Sequence, residues 1–129
     1  MPEAVLRELE AHGRDDDAVK ELRRHEWIRV IPTPEDPPSI AAWDLGPGES
    51  AVLALAHAES DSWAVIDDGQ ARRCARSIGV PFIGTLGLVF LAKQCGRITL
   101  ARPILERLKA SGMYLSDTIL EQVLRRVGE

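Results

Sequence analysis

Apolar residues recur along this chain at changing spacings, and each change of spacing predicts a change of element. Val5, Leu6 and Leu9 fall three and four residues apart behind Pro2, whose fixed φ suits a first helical turn, so a helix is predicted to near Gly13. Asp15, Asp16 and Asp17 then read as an N-cap and an acidic first turn for a second helix ending near His25. Trp27 to Ile31 is rich in β-branched residues and runs into proline, the pattern of a strand. Residues 32–47 hold five of the chain's eight prolines and predict a loop. Val52, Leu53, Leu55 and Ala56 follow Gly48 at helical spacing and predict a helix to about Glu59.

The second half alternates more regularly. Trp63 to Ile66 reads as a strand, Gly69 to Ile78 as a helix, and Val80 to Ile83 as another short strand. Gly84 to Gly87 then forms a turn into a helix that reaches Gln94. Ile104, Leu105 and Leu108 mark one further helix; Ile119, Leu120, Val123, Leu124 and Val127 mark the last, with Ser116 as its N-cap. Strands alternating with helices predict an α/β fold with a parallel sheet, and 129 residues suit a single domain spanning the chain.

Composition excludes some classes. No apolar run reaches the roughly 18 residues that span a bilayer, and the charged, amphipathic N-terminus lacks the apolar stretch of a signal peptide. The two cysteines, Cys74 and Cys95, are too few for a disulfide framework or a zinc site and read as small buried hydrophobes in a reducing cytosol. A cytoplasmic protein with no membrane association is expected. The net charge of −4 hides an asymmetry: residues 1–68 carry −10 and residues 69–129 carry +6. An acidic half gathers cations and a basic half meets phosphates, although internal complementarity explains the split equally well.

The chemistry worth weighing lies in "AVIDDGQARR". In parallel α/β sheets, ligands bind outside the carboxyl ends of the strands, which is where Asp67 and Asp68 fall. The same "DDG" is also a good turn and helix cap, so two readings stand side by side. Glu49 opens the preceding helix and reaches the same edge if that helix starts there. Clustered carboxylates without His or Cys favour Mg²⁺ or Mn²⁺ over zinc, and a pair of such ions is a common device for phosphodiester hydrolysis. Arg72, Arg73 and Arg76 are then candidates for holding a nucleic-acid backbone. Thr85 follows a strand end, where it suits either a phosphate contact or a tight turn. The three histidines show no ligand spacing, Ser50 and Ser116 are explained as caps, and Trp27, Trp43 and Trp63 read as core or loop packing.

The run "LGPGESAVLALAHAESDSWAVIDDGQARRCARSIGVPFIGTLGLVFLAKQCGRI" resembles a family of prokaryotic PIN-like proteins related to the VapC toxins. The likeness rests on a GE-A-x-x-LA helix, an "IDD-x-x-AR" strand end and a "GTLG-L" turn. The tail "PILERLKASGMYLSDTILEQVL" and the opening "PEAVLREL" extend it over nearly all of the chain. The resemblance implies a three-layer α/β fold with a small parallel sheet flanked by helices. It also implies a metal-dependent ribonuclease using Mg²⁺ or Mn²⁺, with catalytic and metal-binding carboxylates at Glu8, Glu49, Asp67 and Asp68. As partners it implies RNA and, for a toxin of a toxin–antitoxin pair, an antitoxin protein. One departure matters: the family's pattern places a strand ending in aspartate ahead of the PEAV segment, where this chain begins. The first strand and its acid are then expected to be missing, with activity impaired or reduced to a binding role. The sheet edges left open are expected to pair in a homodimer.

Overall fold

The computed structural model describes residues 1–11 and 17–129, and among them it forms eight helices and two short strands. His12, Asp15 and Asp16 lie outside the described residues. The chain divides into two compact units, Met1–Phe82 and Ile83–Glu129. Among the described residues, no helix is long and apolar enough to cross a membrane.

In the first unit, α1 (Glu3–Ala11) and α2 (Asp17–Arg24) follow the predicted stripes, and Val19 of α2 is fully buried. The segment 27–31 departs from expectation. Only Ile31 pairs, in a single parallel bridge to Pro2, with the Glu3 N–H donating to the Ile31 carbonyl at 2.9 Å and the Ile31 N–H to that of Met1 at 3.0 Å. Trp27 stands 77% exposed, so it packs into no core. The proline-rich stretch is not all loop: Pro38–Ala41 makes a short helix, α3, with proline in its first turn and Ile40 fully buried. Its position follows from proline chemistry, because a missing N–H costs nothing at a helix start.

α4 (Pro47–Ala58) begins one residue earlier than Gly48, again with proline in the first turn. Ser50 is therefore a buried residue within the helix rather than its cap. α4 packs on β1 (Ala64–Val65) and on α5 (Gly69–Ser77), and β1 pairs with β2 (Phe82–Ile83) in a small parallel sheet. The core of this unit is built from Ile40, Leu53, Ile66 and Val80 with the alanines of α4 and α5. Those alanines let helix backbones approach the sheet closely, so a two-residue strand is buttressed by helices rather than by a wide ladder. Cys74 is buried in this core, as expected, whereas Cys95 is exposed.

The second unit is helical: α6 (Thr85–Gln94), α7 (Arg102–Ala110) and α8 (Asp117–Val127). Its core joins Val89, Ala101, Leu105, Leu115, Leu120 and Leu124. The "GTLG" segment is not a free-standing turn; Gly84 caps α6 and Gly87 lies within it, with Ile83 against its Cα. Ser116 caps α8 as predicted, accepting the Ile119 N–H at 3.3 Å. Gly128, at φ 77°, closes α8 by a left-handed turn that lets Glu129 donate its N–H to the Leu124 carbonyl at 2.9 Å. The same turn places the Glu129 carboxylate on the first amides of α7, where it accepts from Ala101 at 2.7 Å and Arg102 at 3.1 Å.

The candidate carboxylate site

Four local structures bring four acids toward one place in the first unit. Glu8 comes from the middle of α1 and Glu49 from the first turn of α4. Asp67 and Asp68 come from the link between β1 and α5, which is short because Asp68 itself caps α5. All four line one cavity of about 230 Å³, whose floor includes Val5, Val52 and Val65. Side chains that stand 8, 49, 67 and 68 along the sequence thus share one solvent-open recess.

Three of the four acids, Glu8, Asp67 and Asp68, already have work in the fold. Glu8 accepts the Gly48 N–H at 2.7 Å. That amide belongs to the first turn of α4 and has no partner within its own helix, so a carboxylate there also meets the positive end of the helix dipole. Asp68 accepts the Ala71 N–H at 2.7 Å. That bond, helped by the Gln70 and Gly69 amides and the Arg73 charge, holds its carboxyl below the usual carboxylate range against the opposing effect of burial. The cap reading of "DDG" is therefore real for Asp68. Asp67 meets Arg72, whose Nη2 lies 3.1 Å from Oδ1 while its Nε donates to the Ile66 carbonyl at 2.9 Å.

Two glycines of "LGPGES" turn out to make room for this site, and nothing in their spacing marks them as doing so. A Cβ on Gly48 would lie 2.3 Å from Glu8 Oε2, and one on Gly46 would lie 2.5 Å from Glu49 Oε2. Gly46 has an ordinary φ of −60°. At both positions glycine leaves room for the end of a Glu side chain, which a Cβ would displace.

The arginines expected to hold nucleic acid diverge in their surroundings. Arg72 is half-buried against Asp67. Arg73 is exposed, and the Arg76 guanidinium lies over the Phe82 ring at 5.1 Å from its centroid. Thr85 opens α6 in the second unit.

The donor set is all carboxylate oxygen, which suits a hard divalent cation in kind. In spacing it stops short: among the described residues, no three His, Cys, Asp or Glu side chains stand close enough to grip one ion as they lie.

No curated protein and no solved structure shows significant similarity to this chain. A family model does match: DUF3368, described as a PIN domain, aligns with residues 1–129, across both units. With a PIN domain model matched over residues 1–129, and with an α/β fold, the chain belongs to the PIN domain family.

Proposed function

We propose that this protein is a metal-dependent ribonuclease of PIN type whose recess of Glu8, Glu49, Asp67 and Asp68 takes Mg²⁺ or Mn²⁺. The observation that carries the reading is the convergence of these four acids on one cavity of about 230 Å³. When bound, the cation supplies an activated water and steadies the leaving oxygen of a phosphodiester. The chain's own residues supply the rest. Glu8 and Asp68 are oriented by helix-start amides, and Arg73 on α5 offers an exposed charge to an RNA backbone. The resemblance to VapC toxins extends the proposal to a toxin restrained by an antitoxin protein.

A second reading, a catalytically inactive PIN-like module that binds protein or RNA, is favoured by one specific feature. Arg72 holds Asp67 in an ion pair, and the acids stand too far apart to form a ready cation seat. Calorimetric titration with Mn²⁺, alongside Glu49→Gln, separates the two. Binding that weakens in the variant, together with Mn²⁺-dependent cleavage of single-stranded RNA, supports the nuclease. No binding in the parent chain removes it and leaves the inactive module.

A further inference from the structure

Gln70 stands two residues past Asp68 in the first turn of α5, and its side-chain Nε2 donates to the Trp43 carbonyl at 2.7 Å. That carbonyl belongs to the peptide bond leading into Asp44. Among the described residues, Asp44 is the one non-glycine with a left-handed backbone, at φ 50°. Two residues further on, Gly46 is the N-cap of α4, and Glu49 lies over it: a Cβ on Gly46 would stand 2.5 Å from Glu49 Oε2. A single amide thus joins the helix start that carries Asp68 to the turn that delivers Glu49.

A left-handed backbone persists at a residue with a side chain only where its surroundings hold it. Trp43 and Leu45, on either side of Asp44, pack against the core of the first unit. Gln70 acts on the peptide plane between Trp43 and Asp44, which is rigid and turns as a whole. Flipping that plane would return Asp44 to negative φ, and it would also turn the Trp43 carbonyl away from Gln70. The start of α4 has a second tie, to α1, where Glu8 accepts the Gly48 N–H at 2.7 Å. The helix start is therefore anchored to both α1 and α5, and Gln70 supplies the anchor to α5.

We propose that Gln70 is a positioning residue of the carboxylate recess: by holding the Trp43–Asp44 peptide it fixes where α4 begins, and so sets the separation of Glu49 from Asp68. Groups that orient ligands tune the affinity of a site without touching its ion. The effect of Gln70 on a cation rests on the reading of the recess as a metal site; its effect on the start of α4 does not.

Gln70 is exposed, so Gln70→Met keeps the length of the side chain and removes the donor without disturbing the core. Calorimetric titration with Mn²⁺ is expected to show about tenfold weaker binding in Gln70→Met. The same change made in Glu49→Gln is expected to add little further loss, because Gln70 acts through Glu49. Ser116→Ala, which removes a helix cap in the second unit, is the control for lost stability: it lowers the melting temperature and is expected to leave Mn²⁺ affinity unchanged. Unchanged affinity in Gln70→Met overturns the proposal, as does an equal loss in both backgrounds or in Ser116→Ala. Should the parent chain bind no Mn²⁺, the metal reading fails on its own, and the positioning role is decided in the metal-free chain. Hydrogen exchange is then read at the Gly48 amide and at the Ser50 amide, which donates to the Gly46 carbonyl at 2.9 Å. Both are expected to exchange faster in Gln70→Met and not in Ser116→Ala. Equal rates in the parent chain and Gln70→Met overturn the proposal.

Discussion

Arg72 reaches back from the first turn of α5 to hold Asp67, its Nη2 3.1 Å from Oδ1. A guanidinium beside a carboxylate recess competes with any cation for that acid and raises the local potential against it. Both side chains keep substantial exposure, 35% for Arg72 and 49% for Asp67, so the pair adds at most about 1 kcal/mol to stability. Arg72→Gln is therefore expected to tighten Mn²⁺ binding by roughly threefold to tenfold at low salt, with the gain shrinking as salt screens the charge. Calorimetry at two ionic strengths checks it. An unchanged or weaker affinity shows that Arg72 orients Asp67 for the ion and does not oppose it.

Asp68 has a structural role that must be separated from any role toward a cation. Asparagine caps a helix about as well as aspartate, whereas alanine in that position costs about 1 kcal/mol. Asp68→Asn is expected to keep the melting temperature within a degree or two and Asp68→Ala to lower it by several degrees. If Asp68 also takes part in cation binding, both variants lose affinity for Mn²⁺. Loss in Asp68→Ala alone assigns Asp68 to capping only.

What was legible in the sequence is what local chemistry decides. Ser116 and the stripe from Ile119 to Val127 predict α8 because a cap and a helical period act within a dozen residues. Asp67 and Asp68 follow a strand end and lead into α5, which starts where the turn-and-cap pattern predicts. Trp27 to Ile31 misled, because β propensity needs a neighbouring strand, and the neighbour reaches only as far as Pro2. α3 hid inside the proline tract because a single buried residue, Ile40, anchors it and no period can show in four residues. The pairs Glu8–Gly48 and Arg72–Asp67 lie 40 and 5 residues apart. Neither separation matches a helical or strand neighbour, so only the fold reveals them.

Gly48 offers a test with a change of sign. Alanine is the better helix former by about 0.5–1 kcal/mol, yet its Cβ would lie 2.3 Å from Glu8 Oε2 and displace the carboxylate that accepts the Gly48 N–H. Gly48→Ala is expected to destabilise the wild type by about 1 kcal/mol net, because losing a bond to a charged acceptor costs about 1.5–3 kcal/mol and outweighs the helix gain. In a Glu8→Ala background the obstruction is gone, and the same substitution is expected to stabilise. A double-mutant cycle from denaturant unfolding measures the coupling directly. Equal effects in both backgrounds contradict the close approach.

Glu129 gives the second unit a pH dependence whose direction follows from its contacts. The Ala101 N–H and the Lys93 ammonium, 2.9 Å from Oε1, together with the Arg102 N–H, lower its carboxyl to about 2 from an ordinary 4.5. A carboxyl lowered in the folded state binds its proton more readily when unfolded, so the stabilisation is complete above the ordinary value. It drains away as pH falls from about 4.5 toward 2. Glu129→Gln removes the charge that both amides and Lys93 meet. Thermal unfolding of wild type and variant across pH 7 to 2 is expected to show a gap that is constant near neutrality and narrows below the ordinary carboxylate range. A gap that persists unchanged to the acid end places the effect of Glu129→Gln in packing. No gap at any pH means that the turn at Gly128 holds the end of α8 without help from the carboxylate.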